Sequence, residues 1–153
     1  MNSLAERVAG LDVGALFIYT HEAHPGENYP HLTSMEQKMN HARDLRDNLG
    51  ITRAILVDVL DGACHRAYGF MPNMSWIFRR NMVPIYKSDW TDANSASNAI
   101  DYLLDVAERR RKREPLAPFR VERLDYRNQD EEEFYKGLAR NGPKAVEEFR
   151  KAF

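Results

Sequence analysis

The sequence is short of several things, and each shortage closes a route. A single cysteine, Cys64, stands among 153 residues. No intramolecular disulfide and no CxxC redox pair can form within such a chain, and this cysteine usage fits a reducing, cytoplasmic setting better than an oxidising one. An excess of one charge is also missing: 22 Lys and Arg oppose 23 Asp and Glu, which leaves no basic field to hold a nucleic-acid backbone. No apolar run approaches the ~18 residues of a membrane span. The opening MNSLAERVAG lacks the charged start and apolar core of a signal peptide. Internal repeats and low-complexity segments are absent as well. The profile is that of a soluble chain with neither nucleic-acid nor membrane partners, of one-domain length, able to bury a core without a disulfide or metal staple.

Within that chain two short apolar runs rich in β-formers, GALFIYT (Gly14 to Thr20) and TRAILVD (Thr52 to Asp58), predict buried strands. Between them SMEQKMNHARDLRDNLG sets Ser34 and Gln37 at capping-box spacing, puts Met35, Met39, Ala42, Leu45 and Leu49 on one face, and stops at Gly50. Strand, helix and strand in that order predict a parallel pair. After a short helical segment, GACHRAYGF, the runs MSWIF and MVPIYK flank RRN as a hairpin, with Pro84 consigning the second strand to an edge. A helix follows from about Asn94 to Glu108, with Ala99, Ile100, Leu103, Leu104 and Ala107 as its stripe. It runs into ERRRKRE, a basic helix end of the kind the macrodipole favours.

Composition changes from Pro115 onward. PLAPFRVERLDYRNQ reads as a linker in which FRVERLDY alternates like a strand, and DEEEFYKGLARNGPKAVEEFRKAF as two short helices, started by Asp130 and Glu133 and separated at Gly142-Pro143. Two short helices bury little alone. They are expected to pack on the main domain or on a second copy, which keeps a homodimer among the readings. The division expected is an α/β domain over residues 1–108 and a linker with a helical extension over residues 109–153.

Chemistry concentrates in FIYTHEAHPGENYPH, Phe17 to His31, where an apolar run releases three histidines and two glutamates. On the residues alone this is either a site or a polar loop with His41 on the surface of the next helix. His21, His24, His31 and His41, with Glu22 and Glu27, offer ligands for zinc or iron, yet no helical HExxH is present and Pro25 follows His24 at once. No metal and no cofactor is expected. Tyr19, Tyr29, Tyr68, Trp76 and Trp90 are core residues first, and walls for a planar or phenolic molecule second.

LFIYTHEAHPGENYP resembles the strand-to-loop segment of the iodothyronine deiodinase family, in which an apolar strand ends in Tyr and is followed by Glu-Ala-His. NHARDLRDNL, LVDVLDGACHRAYGFMPNMSWIF and VPIYK resemble further family segments in register, so the likeness spans roughly Leu4 to Leu104. It implies an α/β, thioredoxin-like mixed sheet flanked by helices, truncated at the N-terminus, with a C-terminal helical extension. The family's selenocysteine or cysteine would stand before Met1. Cys64 is elsewhere and reads as a packing residue. The strand that would carry that nucleophile is an interior one, and its loss implies unpaired ladders met by rearrangement, a partner chain or a shortened product. Pro72 matches a proline that is cis in thioredoxins.

Glu22, His24 and His41 correspond to positions that the family uses around its substrate for binding and proton transfer. The resemblance therefore implies a Glu22–His24 acid/base pair assisted by His41, at the strand end where α/β sheets place ligands. The function expected is a nucleophile-free, deiodinase-related pocket for a small aromatic or polyketide-like molecule, with non-redox acid/base catalysis if it is an enzyme. The alternatives are a non-catalytic dimerising or partner-binding domain, and a redox enzyme truncated at its start site.

Overall fold

Ser34 starts the helix that organises the site: its hydroxyl accepts from Gln37 N (3.1 Å), while Gln37 Oε1 reaches back to Thr33 N (2.8 Å). In the computed structural model, which describes residues 1–116 and 130–152, this is α2 (Met35–Asn48). It follows α1 (Asn2–Ala9) and β1 (Leu16–Tyr19), and precedes β2 (Ala54–Val57) and α3 (Ala63–Ala67). Then come β3 (Ser75–Phe78), β4 (Pro84–Ser88), α4 (Ala93–Arg111), α5 (Glu131–Arg140) and α6 (Pro143–Ala152). The protein is mixed α/β. None of the described helices is long and apolar enough to cross a membrane.

The chain packs as two units. One gathers residues 2–72 with 130–152; the other takes the segment from Asn73. In the first unit β1 and β2 pair in parallel, Leu16 opposite Ala54 through Tyr19 opposite Val57. Asp58 N donates to Tyr19 O (3.0 Å) to extend the ladder. α2 packs on β2, but with a face rotated from the expected one. Lys38, His41 and Ala42 are buried, whereas Met35, Met39 and Leu49 are exposed. The reason is polar satisfaction: Lys38 Nζ donates to Val59 O (3.0 Å) and His41 meets Glu22, which offsets a burial that would otherwise be costly. The strands are likewise not buried on both faces, since Leu16 is 56% and Leu56 52% exposed.

The tail is part of this first unit rather than an appendage. Asp130 accepts from Glu133 N (3.0 Å) to start α5, and Gly142, at φ +113°, turns the chain into α6 with Pro143 as its first residue. The α5–α6 turn docks on residues 24–28. Asn28 N donates to Asn141 O (3.1 Å), Asn28 Nδ2 to Arg140 O (3.0 Å) and Asn141 Nδ2 to His24 O (2.6 Å). The FRVERLDY stretch lies outside the described residues.

In the second unit β3 and β4 form an antiparallel hairpin, with Trp76 opposite Lys87, Ile77 opposite Tyr86 and a bulge between Ile77 and Phe78. Pro84 opens β4, where its missing N–H costs the ladder least. Asp92 caps α4 by accepting from Ser95 N (2.6 Å). The helix buries Ala96, Ile100 and Val106, leaves Ala107 exposed, and continues to Arg111 through the basic run. That run is solvated: Arg109 pairs with Asp105 (3.5 Å), and Lys112 (3.3 Å) and Arg111 pair with Glu108.

The four strands among the described residues form two sheets of two strands each, where one mixed sheet was expected. Among the described residues no peptide bond is cis, so the expected cis Pro72 is trans, and the Met71 carbonyl before it lies 2.7 Å from His65 Nε2.

Candidate functional site

The chain leaves β1 at Tyr19, which is buried, and its phenol donates to Glu22 Oε1 three residues later. From α2, His41 brings Nδ1 to 3.3 Å from the same oxygen. The imidazole is 8% exposed, and Nδ1 lacks a well-directed hydrogen bond. Tyr29 covers the histidine, ring centroids 5.0 Å apart at 82°, and its own hydroxyl receives Asn48 Nδ2 at 3.4 Å. Burial raises the Glu22 carboxyl above the ordinary glutamate value, and His41 only partly opposes the rise. A carboxyl that holds its proton longer than usual, next to an imidazole nitrogen with no directed partner, is equipped to pass a proton.

The pairing is thus Glu22 with His41, and His24 is not in it. His24 is exposed and turned edge-on to Phe149 (5.5 Å) and Phe134 (6.4 Å) on the tail helices. Pro25 and the bond from Asn141 to the His24 carbonyl hold it there. Of the residues expected as aromatic walls, Tyr19 lies against Glu22 and Tyr29 against His41. Tyr68 is half-buried just after α3. Trp76 and Trp90 belong to the second unit, Trp76 in β3 under Lys87 Nζ (5.5 Å) and Trp90 exposed after β4. Beside Tyr29 opens a cleft of about 530 Å³, lined by Asn28, Tyr29, Asp44, Asn48 and Arg140.

A second polar cluster escaped the sequence reading. Asp58, at the end of β2, accepts from Cys64 N (3.0 Å) and His65 N (2.9 Å), and so caps α3 from outside the helix. Burial alone would raise this carboxyl, but the backbone N–H groups of His65, Cys64 and Val59 and the Lys38 ammonium outweigh it and hold it low. Lys38 is 1% exposed; burial lowers its ammonium, against the pull of Asp58 and Asp61. His21 lies 4.8 Å from the His65 ring and stacks on Phe70 at 6.0 Å. Burial first, then His65, Lys38 and His31, lower its imidazole. One signal was available in advance: Lys38, His41 and Leu45 recur at helical spacing toward the strands.

Burial and then the Asp58 carboxylate raise the Cys64 thiol, the opposite of what a thiolate nucleophile needs. The histidines disperse, His21 to His65, His24 to the tail helices and His41 to Glu22. Among the described residues no group of three or more His, Cys, Asp or Glu is arranged to hold a metal ion.

Comparison with protein families, curated proteins and solved structures found no match. Function therefore rests on the geometry and chemistry of these residues.

Proposed function

We propose that Glu22, His41 and Tyr19 form an acid/base pocket for a small phenolic or otherwise planar polar molecule, in a deiodinase-related, thioredoxin-like protein that works without a thiol or selenol. The observation that carries this reading is the shared oxygen: Glu22 Oε1 receives the Tyr19 phenol and stands 3.3 Å from His41 Nδ1. Glu22 takes the proton of a ligand hydroxyl, His41 accepts it in turn, and Tyr19 holds the carboxylate in place. Tyr29 supplies an aromatic wall, shared between His41 on one side and the cleft lined by Asn28, Asp44, Asn48 and Arg140 on the other.

Titration with 4-nitrophenol, followed by the change in its phenolate absorbance, tests this. The wild-type protein should bind the probe and shift its ionisation, and Glu22→Gln or His41→Ala should lose the shift. Identical titrations for all three proteins would refute the pocket.

A second reading, a self-associating or partner-binding domain, draws on the exposed leucines Leu16 and Leu56 of the parallel pair. Light scattering separates the two, since a monomer over a wide concentration range counts against association.

A further inference from the structure

The loop that carries Tyr29 is fixed by the far end of the sequence. Both carboxylate oxygens of Glu27 accept from Lys144 N in the first turn of α6 (3.2 and 3.1 Å). They satisfy a backbone donor that the helix leaves open, at the end where negative charge is favoured. Two glycines make the approach close. A Cβ on Gly26 would overlap the Asn141 carbonyl, and one on Gly142 would overlap the Glu27 carboxylate. The next residue, Asn28, is held by the carbonyls of Asn141 and Arg140. After it comes Tyr29, with its ring against His41. Asn28, Tyr29 and Arg140 then line the cleft together.

We propose that Glu27 is the positioning residue of this site: by capping α6 from the Tyr29 loop it sets the Tyr29 ring over His41 and Arg140 along the same cleft. The inference rests on the acid/base reading for its function, but not for its geometry. The influence of Glu27 on the Glu22–His41 pair passes through Asn28 and Tyr29. An exposed carboxylate in a polar loop thereby acquires a specific task.

Three NMR and binding readouts on the intact chain test it: the Tyr29–His41 ring NOE, the pH titration of the Glu22 carboxyl carbon, and the 4-nitrophenol titration. Glu27→Ala should weaken the NOE, move the Glu22 midpoint back toward the ordinary glutamate value as water reaches the pair, and weaken probe binding severalfold. Glu27→Gln, whose amide oxygen still accepts from Lys144 N, should restore most of each signal. Glu27→Asp, which keeps the charge and shortens the reach, supplies a milder displacement should the alanine variant fail to fold. If Glu27→Ala, or failing that Glu27→Asp, lowers stability yet leaves the NOE and the Glu22 midpoint unchanged, Glu27 is only a helix cap and the proposal is wrong. A wild-type protein indifferent to 4-nitrophenol would remove the acid/base reading, while the NOE and the midpoint still decide this one.

Discussion

Glu22 and His21 are neighbours in sequence with opposite dependences on pH. The Glu22 carboxyl is raised by burial, so the folded state binds its proton more tightly than the unfolded chain does. Its contribution is full below the ordinary glutamate range and declines as pH rises through the raised value. Glu22→Gln should therefore increase stability at pH 8 while it abolishes the probe response, a trade familiar from functional sites. His21 is lowered, with burial the first cause. The folded state disfavours its charged form, so stability is full above about pH 6.5 and falls as pH drops from there through the lowered value. Urea denaturation at pH 5 and pH 8 should show a smaller acid loss for His21→Phe than for the wild type; an equal loss would contradict the assignment. Lys38 teaches a further lesson at this scale. A lysine in an amphipathic stretch reads as surface, and the Val59 carbonyl with the Asp58 and Asp61 carboxylates make its burial tolerable.

Among the elements, the expectations that held were those set by local chemistry. The Ser34, Asp130 and Gly142-Pro143 signals began or ended helices where they stood, because a cap acts over three residues and needs no distant partner. What failed was the choice of face on α2: Met35, Met39 and Leu49 satisfy an apolar pattern, yet Lys38 and His41 point inward. Hydrophobic periodicity cannot anticipate a polar side chain whose partner lies on another element. Asp58 is the clearest such case, serving the start of α3 from the end of β2. Asp58→Ala should cost about 2–4 kcal/mol, since it frees the backbone donors of Cys64 and His65 and removes a carboxylate that attracts the buried Lys38 ammonium. Asp92→Ala, an ordinary cap on α4, should cost about 1 kcal/mol. Chemical denaturation measures both, and equal losses would contradict the difference in role.

Across the whole molecule, the return of residues 130–152 onto the Tyr29 loop is the feature with the widest consequence. Asn28 N–H is bonded to a carbonyl more than 100 residues away, at Asn141. Its hydrogen exchange should be slowed to the level of the β1–β2 ladder amides rather than that of a loop. Exchange at loop rates would show that the docking does not hold in solution. A two-stranded parallel pair is marginal by itself, and in the first unit it is supported by α2 on β2. Light scattering then tells whether the exposed Leu16 and Leu56 recruit a second copy.

By itself the sequence determined the order of elements from β1 to α4, the parallel pair, the hairpin and the helix starts at Ser34 and Asp130. Each of these follows from signals a few residues long: caps, turn residues and apolar runs. Tertiary structure alone decided that His41, not His24, joins Glu22, that Lys38 and Asp58 are buried together, and that the last two helices brace the Tyr29 loop. These depend on which side chains meet across the fold, and a polar group is stable inside a protein only when its partner arrives from elsewhere in the chain.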